Sequence, residues 1–173
     1  NLVSNSGVVA TDTTGVGTAR IYPAAAGYGT DKAIFGYGNS YLSMTNLVSN
    51  SGVVSSDVTG VGTARNQLSA AGYGGDKAIF GYGYTGAVSS LTNLVSNTGV
   101  VAADVTGVGT ARNALAAASY GGDKAIFGYG QNSGSANVSL TNLVSNSGVV
   151  AADVTGVGTA RRALAAAGFS TSA

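Results

Sequence analysis

Asp-Lys-Ala-Ile-Phe-Gly-Tyr-Gly runs from Asp31 to Gly38, recurs from Asp76 to Gly83, and recurs again from Asp123 to Gly130. A second string, Asn-Leu-Val-Ser-Asn, begins at Asn1, Asn46, Asn93 and Asn142, so the spacing is 45, 47 and 49 residues. Repeats of this length mark arrays in which each unit buries its apolar face against a neighbour. The stretch from the start of Asn-Leu-Val to the end of Gly-Tyr-Gly is 38 residues in each copy (1–38, 46–83 and 93–130). All length variation falls in the segment that follows: residues 39–45, 84–92 and 131–141, of 7, 9 and 11 residues. A packed element cannot change length without disturbing its neighbours, whereas a surface loop can.

Four strands are expected in each unit. The first follows Arg20, Arg65, Arg112 and Arg161, as in residues 115–119; the second is 77–82, the third 91–95 and the fourth 100–105. Turn signals rich in Gly and Asn separate them, such as Gly72-Tyr-Gly-Gly75, Ser96-Asn-Thr-Gly99 and Thr106-Gly-Val-Gly109. Short runs bounded by such turns point to a sandwich, barrel or propeller. Ala78, Ile79 and Phe80 put apolar or small groups on both faces of the second strand, which suits a sheet covered on both sides. The Ala-rich run 114–118 also fits a helix, since alanine is the best helix former. Five residues closed off by Ser119-Tyr-Gly-Gly are too few to hold one.

The composition agrees with a packed all-β chain. Of 173 residues, 28 are Gly and only 9% are charged, yet 45% are hydrophobic, which separates this chain from low-hydrophobicity disordered sequences. A net charge of +1, with eight basic residues spread singly or in pairs, argues against nucleic acid as a partner. No run approaches the length of a membrane-spanning helix, so no membrane insertion is expected.

Catalytic candidates are few. The chain has no His, Cys or Glu, which removes the commonest general base, the thiol nucleophile and paired Glu residues. The seven acids are all Asp: Asp12, Asp57, Asp104 and Asp153 near the fourth strand, and Asp31, Asp76 and Asp123 beside Lys32, Lys77 and Lys124. An active site breaks repeat symmetry, whereas these recur in every unit, so turn-forming and pairing roles are expected. Arg20, Arg65, Arg112 and Arg161 are likewise expected to bond one unit to the next; a ring of guanidinium groups around an anionic glycan is the rival reading. Gly72-Tyr-Gly-Gly-Asp76 occurs once per unit rather than every nine residues, unlike a Ca²⁺-binding nonapeptide array. Gly-Val-Gly-Thr-Ala-Arg lacks the residues of a phosphate-binding loop or a dinucleotide fingerprint. No catalytic residue, cofactor or metal is assigned.

Specificity is expected in the loop of variable length. It carries Asn39, Tyr41, Tyr84, Gln131 and Asn132, with no pattern shared between copies, and amphipathic Tyr and amide groups suit sugar or protein surfaces. Unselected drift of the loop is the competing explanation.

The order of Arg, Ala-rich strand, Ile-Phe-Gly-Tyr-Gly (34–38, 79–83, 126–130), variable loop, strand, turn and strand resembles the blade of a Kelch-type β-propeller. Here Gly-Tyr-Gly stands in place of the Gly-Gly doublet of that blade. The resemblance implies an all-β, Kelch-like propeller of four-stranded blades, in one tandem-repeat domain over residues 1–173. Residues 1–17 would supply the third and fourth strands of one blade, three complete blades would follow, and a lone first strand would end the chain at 162–169. Closure of such a ring needs a second strand ahead of Asn1, so the natural chain is expected to extend upstream; the alternatives are a gap filled by another subunit or an open array. The wording of the motifs is also similar to Kelch-like repeat proteins of marine bacteriophage virions and tail fibres. That likeness implies a non-enzymatic structural or adhesion module at the virion surface, outside the cell. Its partners would be other virion proteins or copies of itself, and a host-surface glycan or protein as receptor. The alternative is a secreted or cell-surface lectin-like propeller; a propeller glycosidase is the remote third.

Overall fold

A computed structural model describes residues 1–39 and 41–168. No helix occurs among them, so none could cross a membrane. The first unit holds β1 (Ala24–Tyr28), β2 (Lys32–Gly36) and β3 (Thr45–Val48); the second holds β4 (Ser69–Tyr73), β5 (Lys77–Gly81) and β6 (Thr92–Val95). In the third, β7 (Arg112–Asn113) precedes β8 (Ala116–Tyr120), β9 (Lys124–Gly128), β10 (Gln131–Asn132) and β11 (Thr141–Val144). Each unit is an antiparallel sheet with its second strand in the middle, in the orders β1-β2-β3, β4-β5-β6 and β8-β9-β11. The Ala-rich runs of these three units are strands, as their length and flanking turns required.

The observed strands differ from the expected limits by a residue at several ends: 116–120 rather than 115–119, 77–81 rather than 77–82, and 92–95 rather than 91–95. The second strand stops at Gly because the next residue, Tyr37, Tyr82 or Tyr129, is left-handed (φ 62°, 64° and 64°). The fourth strand needs a larger correction. It pairs with the third only through isolated bridges: Val48 with Val54 and Thr45 with Val58, then Val95 with Val101 and Thr92 with Val105, then Val144 with Val150 and Thr141 with Val154. Between the two bridges the fourth segment has one residue more than its partner, which is a bulge. Residues 1–10 form the outer pair of a further unit, with Val3 bridged to Val9. The lone first strand expected at 162–169 is not a strand over 162–168, and among the described residues no strand pairs with it; Phe169 lies outside the described residues.

The three sheets stack in chain order, first on second and second on third, and among the described residues no strand pairing closes the row into a ring. One face of each sheet packs on the opposite face of the next. Ala24, Tyr28 and Ile34 of the first unit meet Ala78, Phe80 and Val95 of the second. Ala71, Tyr73 and Ile79 of the second meet Ala125, Phe127 and Val144 of the third. Phe80 crosses into the preceding unit and stands edge-on to Tyr37 (ring centroids 5.1 Å apart), and Phe127 does the same to Tyr82 (5.1 Å). Glycine makes room for each ring. A Cβ on Gly36 would lie 2.7 Å from Phe80 Cζ, and one on Gly81 would lie 2.6 Å from Phe127 Cζ. Phe35, with no preceding sheet over it, is 41% exposed, whereas Phe80 and Phe127 are wholly buried.

A polar clamp joins the same units. Arg65 and Arg112 are both 0% exposed. Arg65 Nε donates to Tyr82 O (2.8 Å), Nη1 to Thr63 O (3.0 Å) and Nη2 to Asn93 Oδ1 (2.6 Å). Its guanidinium also lies over the ring of Tyr37 in the preceding unit, 4.6 Å from the centroid. Arg112 repeats this on Tyr129 O, Thr110 O and Asn142, over Tyr82 at 4.3 Å. Burial pushes the Tyr37 and Tyr82 hydroxyls up to about 12. They therefore stay protonated and donate to Val61 O and Val108 O (3.2 Å each), fixing the linkers between units. The bulge turns Asp104 inward, where its carboxylate accepts from the Thr63 N–H and hydroxyl and from Asn93 Nδ2, 3.7 Å from Arg65 Nη1. Asp153 does the same for Thr110, Asn142 and Arg112. Arg65 and Arg112 are thus buried between units and do not line an open ring, while Arg20 is half-buried and Arg161 exposed.

Gly81→Ala is expected to destabilise the protein by about 2 kcal/mol, the typical penalty of overpacking, and Gly128→Ala, whose Cβ would meet only Thr141 Cγ2 at 3.3 Å, by clearly less; urea titration of both variants checks the contrast. The acid limb gives a second expectation. Burial raises the carboxyls of Asp104 and Asp153, but hydrogen bonds from Thr and Asn and the nearby arginine outweigh it and hold both below the ordinary carboxylate value. A depressed folded value means stability that is fully present above the unfolded carboxylate pKa of about 3.9 and is lost as pH falls through the folded value. Asp104→Asn should therefore be less stable than the parent at neutral pH and lose less on acidification below about pH 4, as read by thermal melts across that range.

Candidate functional site

Three residues follow each arginine: Ile21-Tyr22-Pro23, Asn66-Gln67-Leu68 and Asn113-Ala114-Leu115, each leading into a first strand, and Arg162-Ala163-Leu164, which leads into none among the described residues. The middle residue is left-handed every time (φ 55°, 51°, 50° and 55°), a conformation that costs an L-residue about 1–2 kcal/mol. Backbone bonds tie successive linkers together, from Ala114 N–H to Gln67 O (2.9 Å) and from Ala163 N–H to Ala114 O (2.8 Å). The linkers thus form a connected arc at one end of the stacked sheets.

The loops of variable length fold onto the same arc. Tyr84 exchanges both backbone hydrogen bonds with Asn66 (2.8 and 3.0 Å), and β10 pairs with β7, Gln131 opposite Asn113 and Asn132 opposite Arg112. Each unit's two variable segments are therefore brought side by side by main-chain pairing, which holds whatever side chains they carry. Together they enclose a concave site of about 680 Å³, whose walls include Tyr22, Gln67, Tyr84, Asn113, Gln131 and Arg162.

Of the residues singled out from sequence, Tyr84 and Gln131 line this site. Gln131 Nε2 donates to Ser135 O (2.8 Å). Asn132 is committed to its own loop, its Oδ1 accepting from the Gly134 and Ala136 N–H groups (3.0 and 3.1 Å). Tyr41 stands at the margin, exposed, with its ring centroid 6.4 Å from that of Tyr84. Asn39 lies outside, its N–H bonded to Ile21 O (2.7 Å). The expectation missed Tyr22, Gln67, Asn113 and Arg162. The signal was present, because the triplet after each arginine is the second place where near-identical copies diverge.

The polar chemistry of the site is unbalanced in an informative way. Asn113 Nδ2 donates to Gln67 Oε1 (2.6 Å), but Asn113 Oδ1 is buried without a partner, as is Asn66 Oδ1. A buried acceptor left unpaired costs about 1–3 kcal/mol, and both amide oxygens lie beneath the surface of the linker arc. No carboxylate lines the site. The Asp residues are engaged elsewhere: Asp57, Asp104 and Asp153 in the clamp, Asp31, Asp76 and Asp123 with the adjoining lysine (3.2, 2.8 and 2.8 Å), and Asp12 with Asn1 Nδ2 (2.8 Å). A second hollow of about 240 Å³, at the β1–β2 and β4–β5 turns, is walled by repeat-constant residues such as Tyr28, Lys32, Tyr73 and Lys77. There the bond from Lys77 and that from Asn97 hold the Asp76 carboxyl below its ordinary range.

No protein-family model and no curated protein matches the chain. Among solved structures, that of YjhT superposes with a TM-score of 0.58 at 13% identity, over 76% of this chain and 44% of that one. This likeness is one of fold, and the chain spans less than half the length of that structure.

Proposed function

We propose that the chain is a non-enzymatic adhesion or structural module, built as Kelch-like propeller blades, that recognises a hydroxyl-rich ligand through the face where linkers and variable loops meet. The observation that carries this reading is the convergence of both variable segments on one concave site, while the rest of each unit is held nearly constant by packing. Flat aromatic surface from Tyr22 and Tyr84 and amides from Gln67, Asn113 and Gln131 suit sugar rings, which offer apolar faces and hydroxyl donors together. The acids stand in structural roles away from this face, which supports binding rather than hydrolysis. The similarity of the repeat motifs to those of phage virion and tail-fibre proteins favours a virion appendage as the setting, with a host-surface glycan as receptor. A secreted lectin-like propeller would use the same face.

Glycan-array binding by the purified chain tests the reading. Tyr84→Ala and Gln67→Ala are each expected to weaken a bound glycan about tenfold, equivalent to ~1.4 kcal/mol, with Tyr41→Ala having a smaller effect. Binding untouched by both of the first two variants, or turnover of a sugar substrate, would remove this face from the account.

A further inference from the structure

Six of the nine tyrosines belong to the repeat and three do not. Tyr28, Tyr73 and Tyr120 end the first strand of each unit, and Tyr37, Tyr82 and Tyr129 follow the second. Their recurrence goes with packing: Tyr28 and Tyr73 are buried against the next unit, and Tyr37 and Tyr82 lie under the clamp arginines. Tyr22, Tyr41 and Tyr84 break the pattern. Gln67, Ala114 and Ala163 stand in the place of Tyr22, and Asn39 and Gln131 in the place of Tyr84. All three of these tyrosines are on the loop face.

The main chain holds each of them there. Tyr22 is on the linker arc, and Tyr84 exchanges bonds with Asn66 and is bridged to Val88. Tyr41 sits in the shortest loop, which turns back at once, the Leu42 N–H donating to Gly38 O (3.3 Å). Their rings are left open, Tyr22 being 58% and Tyr41 45% exposed. The tyrosine hydroxyl bonds among the described residues belong to Tyr37, Tyr82 and Tyr129.

At Tyr41 the backbone adds a separate observation. Its φ is 51°, in the left-handed region that penalises a side chain and spares glycine. A chain with 28 glycines puts a tyrosine there, on an exposed turn outside the clamp. Strain of this kind gathers at ligand-binding positions.

The rings also have an order. Tyr22 and Tyr84 wall the concave site, and Tyr41 is not part of that wall. The Tyr41 ring lies just outside, 6.4 Å from the Tyr84 ring and tilted 36° to it. Aromatic surface therefore continues from the site onto its margin. An aromatic ring takes the apolar face of one sugar ring, so a surface that continues outward fits a chain of sugars.

We infer that the saccharide bound at this face is a linear oligosaccharide, with one ring seated in the concave site against Tyr84 and the next stacked outward on Tyr41. This rests on the saccharide reading of the loop face and adds to it the ligand's length and direction. Tyr41 is then the residue that selects for chain length, since a single sugar in the concave site does not reach it.

Isothermal titration calorimetry on the 173-residue chain tests this, using fragments of increasing length cut from the glycan that binds best on the array. Affinity is expected to rise about fivefold from one ring to two, the scale of one aromatic contact, and then to level off. Tyr41→Ala should cancel that rise and leave the single sugar's affinity unchanged, whereas Tyr84→Ala weakens every fragment. Tyr41→Phe, which keeps the ring, should keep the rise. A single sugar bound as tightly as its longer fragments would overturn the inference and leave the loop face as a saccharide site. So would a rise with length that survives Tyr41→Ala, since the chain would then leave the site on another side. Failure to bind any array glycan would remove the saccharide reading itself, and this inference with it.

Discussion

The guanidinium of Arg65 sits between two sheets with no access to water, and the surrounding structure is arranged to make that tolerable. A buried charge is stable only when its donors are satisfied and its field is answered nearby. Burial lowers the arginine's pKa, opposed by the nearby Asp104 carboxylate and Tyr37. Three departures from regular strand geometry serve this requirement. The bulge in the fourth segment aims Asp104, the left-handed Tyr37 puts a ring under the cation, and the linker bends so that Thr63 O and the Tyr82 carbonyl face inward. The same device at Arg112 joins the second unit to the third.

Between the clamps the sheets approach closely because the chain is built of small residues. Ala70 and Ala117 pair across their sheets with Phe80 and Phe127, and Gly36 and Gly81 open the space that these rings enter. A composition with 28 glycines and few charges is thus a packing solution, with Arg65, Arg112, Asp104 and Asp153 placed where units join. Holding the join constant leaves the loop face free to vary. Its backbone pairing, Asn66 with Tyr84 and Asn113 with Gln131, makes few demands on side-chain identity.

Periodicity made much of this legible. The fixed 38-residue stretch located the sheets, the variable segments located one side of the site, and recurrence of Arg and Asp in every copy indicated structural roles. Three features were hidden for physical reasons. One extra residue in the fourth segment changes pairing without changing its Val-rich pattern, so the bulge could not be read. Positive φ is ordinarily the signature of Gly, and Tyr82 or Gln67 adopts it only because the tertiary contacts of the clamp and the linker arc impose it. Tyr22 and Gln67 follow an invariant arginine in sequence, and only the folded linkers bring them beside Tyr84.

The claim on which the rest turns is that the arginine clamp couples one unit to the next. A double-mutant cycle in urea measures this directly, using Arg112→Met, Tyr82→Leu and the double variant, since these side chains belong to adjacent units and meet at 4.3 Å. A coupling energy of at least ~1 kcal/mol between them is expected for residues sharing one network. Effects that add to within about 0.5 kcal/mol, the behaviour of independent sites, would contradict it.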